Sequence, residues 1–185
     1  MRGFREDALA TLSGWRAPDP RQERLRREYV DHVRRHAEPA ARGTAPDHLT
    51  AGALVLSADG AEVLLTLHAK ARRWFHLGGH VEPQDTTLAG AALREATEES
   101  GIDGLRLDPV PLHLDAHTVG FCSGHREVRH LDVRFLAVAP PGAMPTSSPE
   151  SLEVRWWPVE ALPTDAADMV EMVARALVRV GSTTG

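Results

Sequence analysis

The chain holds one cysteine, Cys122. That excludes an internal disulfide and any zinc site built from several thiolates, and it suits a reducing cytoplasm. Positive charge is also short, with 21 Lys and Arg against 26 Asp and Glu and a formal net charge of −5. No basic field is therefore present to hold nucleic acid or an anionic membrane. No apolar run reaches the length of a membrane span and the N-terminus lacks a signal-peptide core, so a soluble cytoplasmic protein is expected. Internal repeats are absent. At 185 residues the chain is expected to form one domain with a sizeable core.

What is present is concentrated between Gly78 and Ile102, which reads GGHVEPQDTTLAGAALREATEESGI. Leu88 to Ser100 has no proline and is rich in Ala, Leu and Glu, which predicts a helix. Asp85, Thr86 and Thr87 are candidates for its cap, and Gly101 for its stop. Glu95, Glu98 and Glu99 are spaced i, i+3 and i+4, so three carboxylates share one helix face. Like charges at that distance repel. A divalent cation relieves the conflict, and hard oxygen ligands select magnesium or manganese. The competing reading is a solvated acidic face; the Gly-Gly turn just before the helix favours the metal. Ala89, Ala92, Leu93 and Ala96 make a small-residue face suited to close packing on a sheet. The glycine pair is expected to bring backbone groups beside the ions.

This stretch resembles the Nudix box, a glycine, five residues, a glutamate, seven residues, then Arg-Glu-apolar-x-Glu-Glu-x-Gly-apolar. Arg94, Glu95, Ala96, Glu98, Glu99, Gly101 and Ile102 match the second half position by position, and Gly79 matches the leading glycine. Two departures stand out. Asp85 replaces the glutamate, and eight residues separate it from Arg94; both are shared with a Nudix subgroup carrying Gly-Gly-His-x-Glu-x-x-Asp. The resemblance implies an α/β fold, a Nudix-type α/β/α sandwich with a mixed sheet, and hydrolysis of a phosphoric anhydride in a nucleoside diphosphate linked to another group. It implies Mg2+ or Mn2+ held by Glu95, Glu98, Glu99 and Gly79. Glu98 or Glu99 would take the proton, with Arg94 orienting the carboxylates through Asp85 or Glu82. A further glutamate from a late loop joins the site in many relatives, and Glu150 and Glu153 lie in that region.

Before the box, residues 1–47 read as a helical extension and linker, with residues 48–185 as the catalytic domain. Glu6 to Leu12 is a short helix ending near Gly14. Asp19-Pro20 opens a second one running to about His36, with Gln22 completing a capping-box-like pattern and Leu25, Tyr29 and Val33 facing the body. Its arginines alternate with Glu23, Glu28 and Asp31, which marks a solvated face rather than a phosphate patch. Leu49 to Ser57 and Glu62 to His68 form a hairpin across Asp59-Gly60. Leu105 to Thr118, Arg129 to Ala139 and Leu152 to Pro158 are further strands, the second of them central. Asp165 to Val180 closes the chain as a helix with Met169, Val173, Ala176 and Val180 on one face. Helices on both faces of a mixed sheet follow from this order.

Histidines cluster after the box. Asp115-x-His117 and His130-x-Asp132 on neighbouring strands form either a substrate pocket, a second metal site, or hydrogen-bonded pairs that fix a strand edge. Similar strings occur in the Nudix subgroup that the box resembles. His80, next to the glycine pair, is placed to reach the diphosphate. With Glu82, His117, His130 and Asp132 it completes the candidate substrate-binding set. Trp156 and Trp157 read as packing, and Trp74 as the one candidate stacking platform. The proline that marks ADP-ribose hydrolases is absent, since His117 stands in its place. The NADH-hydrolase array is missing, and only Leu64-Leu65-Thr66 matches the coenzyme A signature. A small nucleotide is the default substrate. No other partner is expected beyond an optional homodimer. The rival readings are a non-catalytic Nudix-like ligand-binding module and a Nudix-fold isomerase, which would need Cys122 in its site.

Overall fold

The computed structural model describes residues 2–42, 47–120, 128–146, 151–163 and 166–183. Two helices come first, α1 (Arg2–Gly14) and α2 (Pro20–Arg35). Helix α1 is longer than the sequence predicts because Phe4, Ala8 and Leu12 form a continuous i, i+4 stripe that is fully buried. Asp19 caps α2 as expected, accepting from the Arg21 and Gln22 amides at 2.7 and 2.9 Å. Gln22 does not complete a capping box. Its side chain is buried and clamps the Leu114 backbone instead, donating to the carbonyl at 2.9 Å and accepting from the amide at 2.7 Å.

The strands β1 (His48–Leu56), β2 (Glu62–His68), β3 (Trp74–Phe75), β4 (Leu77–His80), β5 (Arg106–Val119), β6 (Val128–Val138) and β7 (Ser151–Pro158) form one seven-stranded sheet among the described residues. Helix α3 (Leu88–Ser100) lies between β4 and β5, and α4 (Ala167–Thr183) follows β7. The sheet is mixed. β1 and β6 are parallel, with His48 opposite His130, and the other pairs are antiparallel. β1 is buried along its whole length, as a central strand covered on both faces must be.

Alternate residues of β1 divide the core, as the pleat requires. Leu49 and Ala51 face α1, α2 and α3, together with Leu114, Val133 and Phe135. Leu54 and Leu56 face α4 and pack with Met169, Met172, Val173 and Ala176. The two N-terminal helices thus share a core with the sheet and with α3. No described helix is long and apolar enough to cross a membrane.

Helix α3 has its predicted ends. Thr87 caps it, and Gly101 stops it at φ 65°. Its buried face is Leu88, Ala91, Ala92 and Ala96, with Ala89 and Leu93 only half-buried. The packed stripe is therefore rotated relative to the expected one. Trp74 is not a stacking platform near the box. It meets Trp157 edge-on at 5.2 Å and packs on the α4 side of the core.

Candidate active site

The site begins where β4 runs along β1, with Gly52 opposite Gly78 and Ala51 opposite Gly79. A Cβ on Gly78 would fall 2.6 Å from the Gly52 Cα, and one on Gly79 would fall 2.7–2.9 Å from the carboxyl atoms of Glu95. At Gly78 the opposing backbone excludes a side chain, and at Gly79 a side chain would displace the Glu95 carboxylate. The bare backbone at Gly79 lets the Glu95 carboxylate lie against the strand, and Gly78 donates its amide to Glu99 Oε2 at 2.8 Å. Two of the three box carboxylates are therefore set by the glycine pair.

Arg94 sets the third. Its Nη1 donates to Glu95 Oε1 at 3.1 Å and to Glu98 Oε2 at 3.0 Å. Nε and Nη2 donate to Asp85 Oδ1 and Oδ2 at 3.1 and 2.8 Å, and Nη2 also reaches the His80 carbonyl at 3.0 Å. Asp85, not Glu82, is thus the partner of Arg94, and the extra residue in the turn does not prevent the pairing. Glu82 contributes its backbone amide to Asp85 Oδ2 at 2.8 Å, while its carboxylate meets Gln84. Burial works against a charged Asp85, but the guanidinium and that amide outweigh it and hold the carboxyl below its ordinary value. At Glu95 the balance goes the other way: burial pushes its carboxyl up in spite of Arg94.

Three carboxylates, Asp85, Glu95 and Glu98, thus meet one guanidinium, and a fourth, Glu99, is held beside them by the Gly78 amide. The surplus negative charge, the hard oxygen donors and the bare strand beside them all fit a divalent magnesium-class ion. Glu98 is the most open of the set, with 59% of its side chain exposed. Of the late-loop candidates, Glu153 lies on β7 opposite Leu67 and pairs with Arg155 at 3.4 Å. Glu150 lies outside the described residues, as do Cys122 and His125.

The histidines occupy the other face of the sheet. The register places Asp115 opposite Asp132 and His117 opposite His130, so the two sequence strings do form a cross-strand pair. Asp132 is buried. Thr50 donates to its Oδ1 at 3.0 Å, and Arg134 Nε and His76 Nε2 lie 2.8 and 3.2 Å from Oδ2. Arg134, also buried, reaches Asp168 at 2.9 Å and Asp115 at 3.2 Å. Asp115 accepts from His117 Nδ1 at 3.0 Å, which raises the His117 pKa. Sequence reasoning missed His48, Thr50, Arg134 and Asp168 here, and His76, which flanks the Gly-Gly turn, had no role assigned. The one signal for the first two was strand alternation, which puts His48 and Thr50 on the same face.

A NUDIX domain family model matches residues 46–176. The chain belongs to the NUDIX family. Its fold is that of solved NUDIX hydrolases. Similar solved structures include a C. elegans Ap4A hydrolase in a binary complex, 20% identical with a TM-score of 0.57 over 72% of this chain and 98% of that one. A NUDIX-family hydrolase from Clostridium perfringens is 22% identical, with a TM-score of 0.56 over 71% and 97%. The E. coli dihydroneopterin triphosphate pyrophosphohydrolase is 16% identical, with a TM-score of 0.54 over 72% and 97%. At these identities the likeness is one of fold. Comparison with curated proteins gives no match. In this NUDIX protein the box lies at β4 and α3, well inside the matched region.

Proposed function

We propose that this NUDIX protein is a hydrolase, dependent on Mg2+ or Mn2+, that cleaves a phosphoric anhydride in a small nucleotide-type substrate. The observation that supports this best is the convergence of Glu95, Glu98 and Glu99 on the Gly78-Gly79 backbone and on Arg94. A solvated acidic face has no use for two glycines whose side-chain space is filled by the opposite strand and by a carboxylate. Glu95, Glu98, Glu99 and the Gly79 backbone would hold the ion, whose charge would offset that of the anhydride oxygens and acidify a water molecule.

The chain's own groups supply the rest. Arg94, anchored on Asp85, fixes the direction of Glu95 and Glu98. The Gly78 amide fixes Glu99. Glu98, held by Arg94, and Glu99, held by the Gly78 amide, are the proton acceptors in this reading, each with a neighbouring carboxylate left for the ion. Glu153 or Glu150 would add a further acid. The group beyond the phosphates would be met by Glu82 beside the box and, passing the strand ends to the other face of the sheet, by His117, with His80 and His130 lining the floor there. The enclosure of Asp132 by Thr50, Arg134 and His76 suits it to bracing that floor. The similar structures named as hydrolases of Ap4A and of dihydroneopterin triphosphate support nucleotide-like substrates as the first to try.

The test is phosphate release from a panel of nucleoside di- and triphosphates, dinucleoside polyphosphates and nucleotide sugars with magnesium or manganese. Turnover that needs the ion and disappears in Glu99→Gln is expected. No turnover of any member with either ion would overturn the hydrolase reading.

A further inference from the structure

One ring nitrogen from each of His48, His80 and His130 lies within 4.8 Å of the others. The three residues come from the start of β1, the end of β4 and the early part of β6, and the register brings them together. Their ring centroids are 5.2 Å (His48–His80), 4.9 Å (His48–His130) and 4.9 Å (His80–His130) apart. His48 is buried, and the other two rings are half-buried. The His130 Nε2 is buried and has no hydrogen-bond partner among the described residues. A buried ring nitrogen without a partner costs free energy unless something fills that role.

We propose that His48, His80 and His130 bind one imidazole-preferring divalent transition-metal ion, zinc first among them, at a site distinct from the carboxylate site on α3. The two sites lie on opposite faces of the sheet. Glu95 packs on Gly79, which shares the α3 face with Ala51, whereas His80 shares the other face with Thr50 and His48. The donors also differ in kind. Three neutral nitrogens suit zinc, cobalt or nickel and are poor ligands for magnesium. Three histidines with a fourth position open is an established zinc arrangement. In a tetrahedral site with Zn–N about 2.0–2.1 Å, the nitrogens stand about 3.3 Å apart, so the rings need to close by about 1.5 Å at most, within reach of side-chain rotation. A neutral imidazole keeps one ring nitrogen unprotonated, so each of the three rings has a lone pair to give. Arg42 opposes a cation here and Asp132 favours one.

Such an ion would tie the ends of three strands together. It would also fix the peptide whose carbonyl, at His80, receives Arg94 Nη2, linking the histidine face to the box through one residue.

Cobalt(II) titration of the Glu98→Gln/Glu99→Gln protein tests the site with the box disabled. We expect one equivalent bound, with the intense visible absorption of four- or five-coordinate cobalt, displaced by zinc. His48→Ala and His130→Gln should each abolish that signal while retaining the parent far-UV circular dichroism. Should the buried His48→Ala fail to fold, the half-buried His130→Gln decides. Only the weak spectrum of six-coordinate cobalt, no stoichiometric binding, or binding that survives in folded His130→Gln would overturn the proposal.

Discussion

Arg94 and Asp85 are joined by two hydrogen bonds, Nε to Oδ1 at 3.1 Å and Nη2 to Oδ2 at 2.8 Å, across a turn one residue longer than the usual box. The aspartate, one methylene shorter than a glutamate, still reaches both guanidinium nitrogens. The Glu82 amide holds its second oxygen in place. The pair carries the geometry of the carboxylates, since the same guanidinium grips Glu95 and Glu98.

Asp85→Asn keeps the shape and removes the charge. We expect a loss of about 1–3 kcal/mol in stability, the usual range for a hydrogen bond to a charged group left half-made, with reduced turnover per folded molecule. Chemical denaturation and phosphate-release kinetics measure both. The Asp85 pKa is lowered on folding, so its contribution is complete above its unfolded pKa of about 3.9 and is lost as the pH falls through the lower folded value. An Asp85→Asn protein as stable and as active as the parent would show the pair to be incidental.

Glu98→Gln and Glu99→Gln should each lower turnover by orders of magnitude while leaving circular dichroism unchanged. At position 99 the amide oxygen can still accept from Gly78, so the backbone contact survives and only the charge is lost. Near-normal rates in both variants would place the chemistry elsewhere.

Millimolar magnesium or manganese should raise the melting temperature, because a ligand that binds only the folded state shifts the equilibrium. The gain should disappear in the Glu98→Gln/Glu99→Gln protein. The reverse pattern, an equal gain in parent and variant, would point to an ion outside the box.

Acid should destabilise the protein well before the carboxylates titrate. Burial lowers the pKa of His48, His76, His80, His113 and His130 on folding. Each of these stays neutral in the fold while the unfolded chain takes up protons below about pH 6.5. Stability therefore falls as the pH drops below that value, by up to about 1.4 kcal/mol per pH unit for each such group. His117, raised by Asp115, acts oppositely: its contribution is present below about pH 6.5 and is lost as the pH rises through its folded value. Melting curves from pH 7 to pH 5 should slope downward, and less steeply in His130→Gln. A flat profile in the parent would contradict the burial of these rings.

Much of this was readable locally. Helix α3 and the β1–β2 hairpin carry their own signals, a threonine cap, a glycine stop and an Asp-Gly turn. The sequence put Asp115-x-His117 and His130-x-Asp132 on neighbouring strands, and the register then sets His117 opposite His130. Other features depend on residues far apart in the chain. Gln22 looks like part of a cap until Leu114, 92 residues away, takes both ends of its amide. His48 has no motif around it, and only the parallel register of β1 on β6 gives it His130 as a neighbour. Trp74 lies close to the box in sequence, but its ring turns toward Trp157 and the α4 layer, where more apolar surface can be buried.

Asp7 on α1 accepts the Leu88 amide at 2.8 Å, and Leu88 is the first residue of the box helix. A free amide at that end would otherwise be an orphan donor. Displacement of α1 would thereby act on the helix that carries the glutamates. A protein cut back to the region shared with its relatives would lose this anchor and would also uncover Leu88, Ala91 and Ala92. Slow amide exchange at Leu88 would report the docking of α1, and the first forty residues would set how often the three carboxylates stand in line.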